Sequence, residues 1–126
     1  MRNYKLEQRI IELMESYREK LPSSSRGWLA VAASVDLSRN AVYDIIDSSK
    51  EVRRDTVVLL GLALEMSLTD FNTLFNYKGF ILRSGITRDE IIYELFDKEI
   101  YDPEVWIERL IKSGEETPFI YKKPRR

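Results

Sequence analysis

The sequence predicts an all-α protein, and three observations carry that. Apolar residues recur near every 3.6 positions along most of the chain, and strand-like alternation is nearly absent. Capping residues stand at the head of successive apolar stripes. No apolar run is long enough to span a bilayer, and the N-terminal residues lack the apolar core of a signal peptide.

The first helix is expected over about residues 4–20. Leu6, Ile10, Leu13, Met14, Tyr17 and Leu21 share one stripe, with Glu7, Arg9, Glu15 and Arg18 elsewhere. Pro22 and the serines 23–25 stop it, and a serine there can cap the next helix. A second helix is expected from Arg26 to Val35 and a third from Arg39 to Asp47, with Ser38 as its N-cap. Residues 48–54 read as a polar loop. Asp55 or Thr56 is expected to cap a fourth helix, Val57 to Glu65, which is apolar on nearly every side and therefore central.

Ser67, with Asp70 three residues on, resembles a capping box for a fifth helix ending near Lys78, and Gly79 suits the left-handed position beyond it. Thr87-Arg88-Asp89-Glu90 reads as a second capping box, ahead of Ile91, Ile92, Leu95 and Phe96. Asp102-Pro103 pairs an N-cap with proline at the first helical position. Val105, Trp106, Ile107, Leu110 and Ile111 then form an apolar face that Gly114 ends. The expected organisation is a five-helix domain over 1–79, a helical extension over 80–115 and a flexible basic tail over 116–126.

At 44% hydrophobic and 33% charged, 126 residues can build one core and are too apolar for a disordered chain. There is no Cys and no His. Structural zinc, disulfides, a Cys nucleophile and a Ser–His relay are thereby excluded. No EF-hand or glycine-rich phosphate loop is present. A Ser–Lys dyad remains open on residue types, but its usual β-rich scaffold has no room here. The chain is expected to be no enzyme and to need no cofactor or metal. The net charge of −1 hides a gradient: +2 over residues 1–27, −2 over 28–78, −4 over 79–115 and +3 over 116–126.

The second and third helices meet the demands of a helix-turn-helix. Two helices crossing over a short turn need a small residue at the crossing, a turn residue that tolerates positive φ, and apolar positions behind. Ala32 sits at the crossing, Asp36 in the turn, and Val31, Val35, Leu37, Val42 and Ile45 seal the back. Asp is one of the few non-glycine residues that visit the left-handed region.

From Arg26 to Gly79 the chain resembles the XRE family, the lambda-repressor and Cro-like helix-turn-helix domains. The matching residues are Val31-Ala32, Leu37 to Tyr43, Ile45-Ile46, Lys50 to Arg54, Thr56 to Met66 and Ser67-Leu68-Thr69-Asp70. Residues 79–114 also look like an extension carried by some bacterial regulators, with Asp89-Glu90-Ile91-Ile92 and Ile100-Tyr101-Asp102. The resemblance implies a lambda-repressor-like fold and a cytoplasmic, repressor-type regulator of prokaryotic or phage origin.

In such proteins the second helix of the motif enters the major groove of duplex DNA. Carried onto this chain, the base-facing set is Ser38, Arg39, Asn40, Tyr43, Asp44 and Asp47. Arg39 suits guanine, Asn40 adenine, and Tyr43 a thymine methyl or a phosphate. Phosphate contacts are expected from Arg26, Lys50, Arg53 and Arg54, with Lys5 as a further candidate. Lys122, Lys123, Arg125 and Arg126 could form an arm. A homodimer on a palindrome is the expected assembly, with residues 80–115 as dimer interface or partner dock.

Asp44 and Asp47 oppose this on the same face, and some helix-turn-helix proteins hold a protein or RNA instead, as antitoxins or phage inhibitors of host defence do. Tyr93, Phe96, Tyr101 and Trp106 are the candidate anchors for a protein partner, although core packing of the last two helices is the stronger reading for most of them.

Overall fold

The computed structural model describes residues 2–116, and among them it is all-helical with no strand. The tail residues Lys122, Lys123, Arg125 and Arg126 lie outside the described residues. The helices are α1 (Tyr4–Arg18), α2 (Trp28–Ala33), α3 (Arg39–Ile46), α4 (Arg54–Ala63), α5 (Leu68–Tyr77), α6 (Thr87–Asp97) and α7 (Pro103–Lys112), with one 3-10 turn at Ser23–Ser25.

Local chemistry explains most boundaries. Asn3 caps α1 through its side-chain oxygen on the Leu6 amide, 3.0 Å away. Ser38 does the same for α3 at Ala41 (3.1 Å), and Asp102 for α7 at Glu104 (2.9 Å), with Pro103 in the first turn. Ser67 takes the Asp70 amide at 3.2 Å, while the Asp70 carboxylate turns to the Tyr17 hydroxyl.

Helices α2, α4, α5, α6 and α7 all close in one way. A residue with positive φ follows each: Asp36 (+52°), Glu65 (+55°), Gly79 (+88°), Glu99 (+55°) and Gly114 (+73°). The next N–H then donates back over five residues, as from Leu37 to the Ala32 carbonyl at 2.9 Å and from Met66 to that of Gly61 at 3.0 Å.

Four expectations need correcting. The second helix is six residues, starting at Trp28, because the serines and Arg26 form the 3-10 turn and its cap. The fourth begins at Arg54, so Arg54 leaves the expected loop, and it ends before Glu65, whose positive φ breaks it. The Thr87–Glu90 capping box does not form: Ile86 is the cap, and Asp89 turns inward. Glu7, expected off the apolar stripe of α1, is buried on the same face as Ile10 and Met14.

The hydrophobic core runs across residue 79 without a break. Phe96 of α6 stacks on Phe71 of α5, ring centres 4.1 Å apart, and Trp106 of α7 meets Phe96 edge-on at 4.9 Å. Removing each such ring from water contributes about 2 kcal/mol. Gly61 on α4 makes room for them, since a Cβ there would stand 2.6 Å from Phe71 Cδ1 and 3.0 Å from Phe96 Cζ. Phe96 and Trp106 are therefore core residues. Tyr101 is partly buried, with its hydroxyl donating to the Met66 carbonyl at 2.6 Å, and Tyr93 alone of the four anchor candidates is exposed.

Candidate nucleic-acid interface

Helix α3 is held from behind and open in front. Val42 and Ile45 are buried, while Ser38, Arg39, Asn40 and Tyr43 face solvent. Arg39, Asn40 and Tyr43 make no side-chain hydrogen bond or ion pair among the described residues, so their polar groups are unspent. Tyr43 is 49% exposed, high for a large ring. The Ser38 oxygen caps the helix and keeps only its O–H to offer.

The two acidic residues on this helix are not equivalent. Asp44 is half-buried. Asp47 turns away into the following turn, where its carboxylate accepts from the Ser49 amide (2.9 Å) and hydroxyl (2.6 Å). Those bonds, with the Arg2 charge 3.6 Å away, hold it below the ordinary carboxylate range. The opposition of Asp47 to a polyanion is thus partly neutralised inside the fold.

The turn that ends α3 is gripped from two sides. Glu7 of α1 accepts from the Ser48 amide (2.9 Å) and hydroxyl (2.8 Å), and from Arg2 at 2.6 Å. The Arg2 side chain and the Ser48 amide hold the Glu7 carboxyl down at about 2. From the other side, the Lys78 ammonium donates to the carbonyls of Asp44 (3.5 Å), Asp47 (3.1 Å) and Lys50 (3.2 Å). A helix C-terminus leaves carbonyls without partners and carries partial negative charge, and a cation there answers both. Burial pushes Lys78 below the usual lysine range. An anion takes the donors of the turn and a cation takes its acceptors.

The expected phosphate ligands divide. Lys50 and Arg53 are exposed and, among the described residues, unpaired, as is Lys5. Arg26 is exposed, with only Nε engaged, on the Leu21 carbonyl at 2.9 Å. Arg54 is committed inside the fold. It reaches the Asp89 carboxylate and the Ile81 carbonyl, at 2.8 and 2.9 Å, and its guanidinium lies over Phe75 and Phe80. Asp89, 1% exposed, also accepts from the Arg83 amide and side chain, at 2.9 and 2.8 Å. Burial pushes the Asp89 carboxyl up, but the Arg83 bonds and the Arg54 charge more than offset it, leaving the group below the carboxylate range.

Sequence reasoning missed Glu7, Lys78 and Asp89. Two left a signal. Glu7 shares a face with Ile10 and Met14, and Asp89 one with Ile92 and Phe96, each at steps of three and seven. A carboxylate on an apolar stripe needs a partner from elsewhere in the fold.

No helix among the described residues is long and apolar enough to cross a membrane. Comparison with protein-family models, with curated proteins and with solved structures returns no match for this chain.

Proposed function

We propose that this chain is a helix-turn-helix protein that binds double-stranded DNA in a sequence-specific way, as a repressor-type regulator, with α3 in the major groove. One observation carries the reading: the side chains free to meet an external anion cluster around α3. Arg39, Asn40 and Tyr43 stand at its front, and the unpaired Lys50 and Arg53 follow it. Arg26 precedes α2 with most of its N–H groups to spare. Base edges would be read by Arg39 and Asn40, and the backbone by the flanking cations. Arg54 has no part in this contact.

Duplex affinity measured against salt tests the proposal. Neutralising phosphates with Lys5, Arg26, Lys50 and Arg53 releases counterions, giving a log–log slope of about −3 to −4 per protomer. Selection from a random duplex pool should then enrich one sequence. Salt-insensitive binding, or none at micromolar protein, sinks it.

A second reading keeps the fold and moves the working surface to residues 80–116, as in a protein-binding antitoxin or phage inhibitor. The exposure of Ile81, Ile86 and Tyr93 favours it.

A further inference from the structure

The segment 79–115 carries nine carboxylates against five cations. Each of those cations already meets a carboxylate, so the surplus negative charge is left without partners. Part of it lies on one stripe of α6. Glu90, Tyr93 and Asp97 are all exposed and follow one another at steps of three and four, so they share a face of the helix. Neither carboxylate has a partner among the described residues. Tyr93, 50% exposed between them, and Leu82 give the apolar walls of a groove of about 420 Å³ between the 82–84 loop and α6, which Glu90 also lines. Arg83, the cation of the lining, is engaged through Nε with Asp89 at 2.8 Å.

The described chain ends beside this same helix. Arg88, in the first turn of α6, donates to the Glu116 carbonyl and pairs with Asp55 at 3.1 Å. Beyond it, the sequence 117–126 holds Phe119-Ile120-Tyr121, then Lys122, Lys123, Arg125 and Arg126, and no acid. Six residues of extended chain span about 20 Å, and Glu90 and Asp97 stand about 10 Å apart along the helix, so Lys122 and Lys123 can reach both. An apolar triplet ahead of a run of cations complements an aromatic wall flanked by free carboxylates. Tethering sets an effective concentration in the millimolar range, so a contact too weak between molecules is populated within one. The same free carboxylates repel a polyanion.

We propose that the groove and the Glu90–Asp97 stripe dock the chain's own segment 119–126. Phe119 to Tyr121 lie against Tyr93 and Leu82, and the cations that follow meet Glu90 and Asp97. Docked in this way, Lys122, Lys123, Arg125 and Arg126 are matched inside the molecule and withheld from an outside phosphate. The inference does not depend on the DNA reading: a chain that docks this segment and binds no duplex defeats only that reading.

The chain has no Cys, so Pro124→Cys supplies a single thiol for a nitroxide label and keeps all four cations. In NMR spectra of the labelled full chain at low salt, the amide signals of residues 90–97 should at least halve relative to the chain with the label reduced. Salt at about 0.5 M should restore most of that intensity, because it screens the ion pairs. Glu90→Lys with Asp97→Lys should restore it as well and leave the rest of the spectrum unchanged, since both side chains are exposed. Lys122→Glu with Lys123→Glu, which alters no described residue, should do the same. Amides of 90–97 that stay sharp overturn the proposal, and so does broadening that survives either double variant. Broadening passed from a nitroxide-labelled chain to a nitroxide-free, isotope-labelled chain in a mixture gives the groove to a second copy and also overturns it.

Discussion

The two halves of the molecule treat their cations in opposite ways. Between residues 79 and 116 every Lys and Arg meets a carboxylate: Arg83 with Asp89, Arg88 with Asp55, Lys98 and Arg109 with Glu94, and Lys112 with Glu108. Among the described residues, only Arg2, Arg18 and Arg54 of the 2–78 stretch do so. Lys5, Arg9, Arg39, Lys50 and Arg53 stand free. Exposed pairs contribute little to stability, so the contrast matters less for folding than for availability. A cation already matched is a poor ligand for an outside phosphate, and an unmatched one is a good ligand. Net charge alone conceals this.

The largest effect comes from breaking the paired half at its buried member. Asp89→Ala strands Arg54 and Arg83 together, and urea unfolding should show a loss of about 3 kcal/mol. Next comes the contrast itself. Arg39→Ala should lose about 2 kcal/mol of discrimination at one base position, read by fluorescence anisotropy on duplexes differing there. Arg109→Ala should leave DNA affinity unchanged, because its partner Glu94 lies in the paired half. Equal losses from the two variants would erase the distinction between the halves.

Smaller shifts lie at the helix ends. Glu65 and Glu99 hold the left-handed conformation that glycine adopts at Gly79 and Gly114. Glu65→Gly and Glu99→Gly should each stabilise the fold by about 0.5 kcal/mol, the relief of strain exceeding the entropy glycine adds to the unfolded chain.

The finest comparison runs along pH. Each half has one carboxylate drawn down to about 2, Glu7 by Arg2 and Ser48, and Glu94 by Lys98 and Arg109. Their folded values lie below the unfolded value of about 4.3. The stabilisation is therefore full above that value and is lost as pH falls from there toward 2. Glu7→Gln should flatten the dependence of the urea midpoint on pH in this window, and Glu94→Gln should do likewise.

What could be read in the sequence was local. Ser38, Asp102, Gly79 and the positive φ of Asp36 each act within one turn of chain, and the apolar stripes repeat within one helix. What escaped reading was long-range or disguised. Arg54 starts a helix whose positive dipole end should repel it, and only Asp89, 35 residues on, reverses that. Lys78 reads as an ordinary last-turn lysine, although its ammonium serves a different helix. Glu65 and Glu99 end helices with no glycine to announce it. For the candidate interface, residue types located α3 and its flanks, but not that Asp47 faces its own turn or that Arg54 is spent elsewhere.

The grip on the end of α3 also orders events during synthesis. Its anion, Glu7, is made first, and its cation, Lys78, comes 31 residues after Asp47. Until α5 is finished and docked, the last carbonyls of α3 stay turned to water and the helix can fray. Closing so long a loop is slow compared with winding one helix. The last partner of the α3 end is thus made only after α4 and α5. A chain cut short within α5 keeps its apolar stripes and lacks Lys78, so the last carbonyls of α3 have no cation to meet.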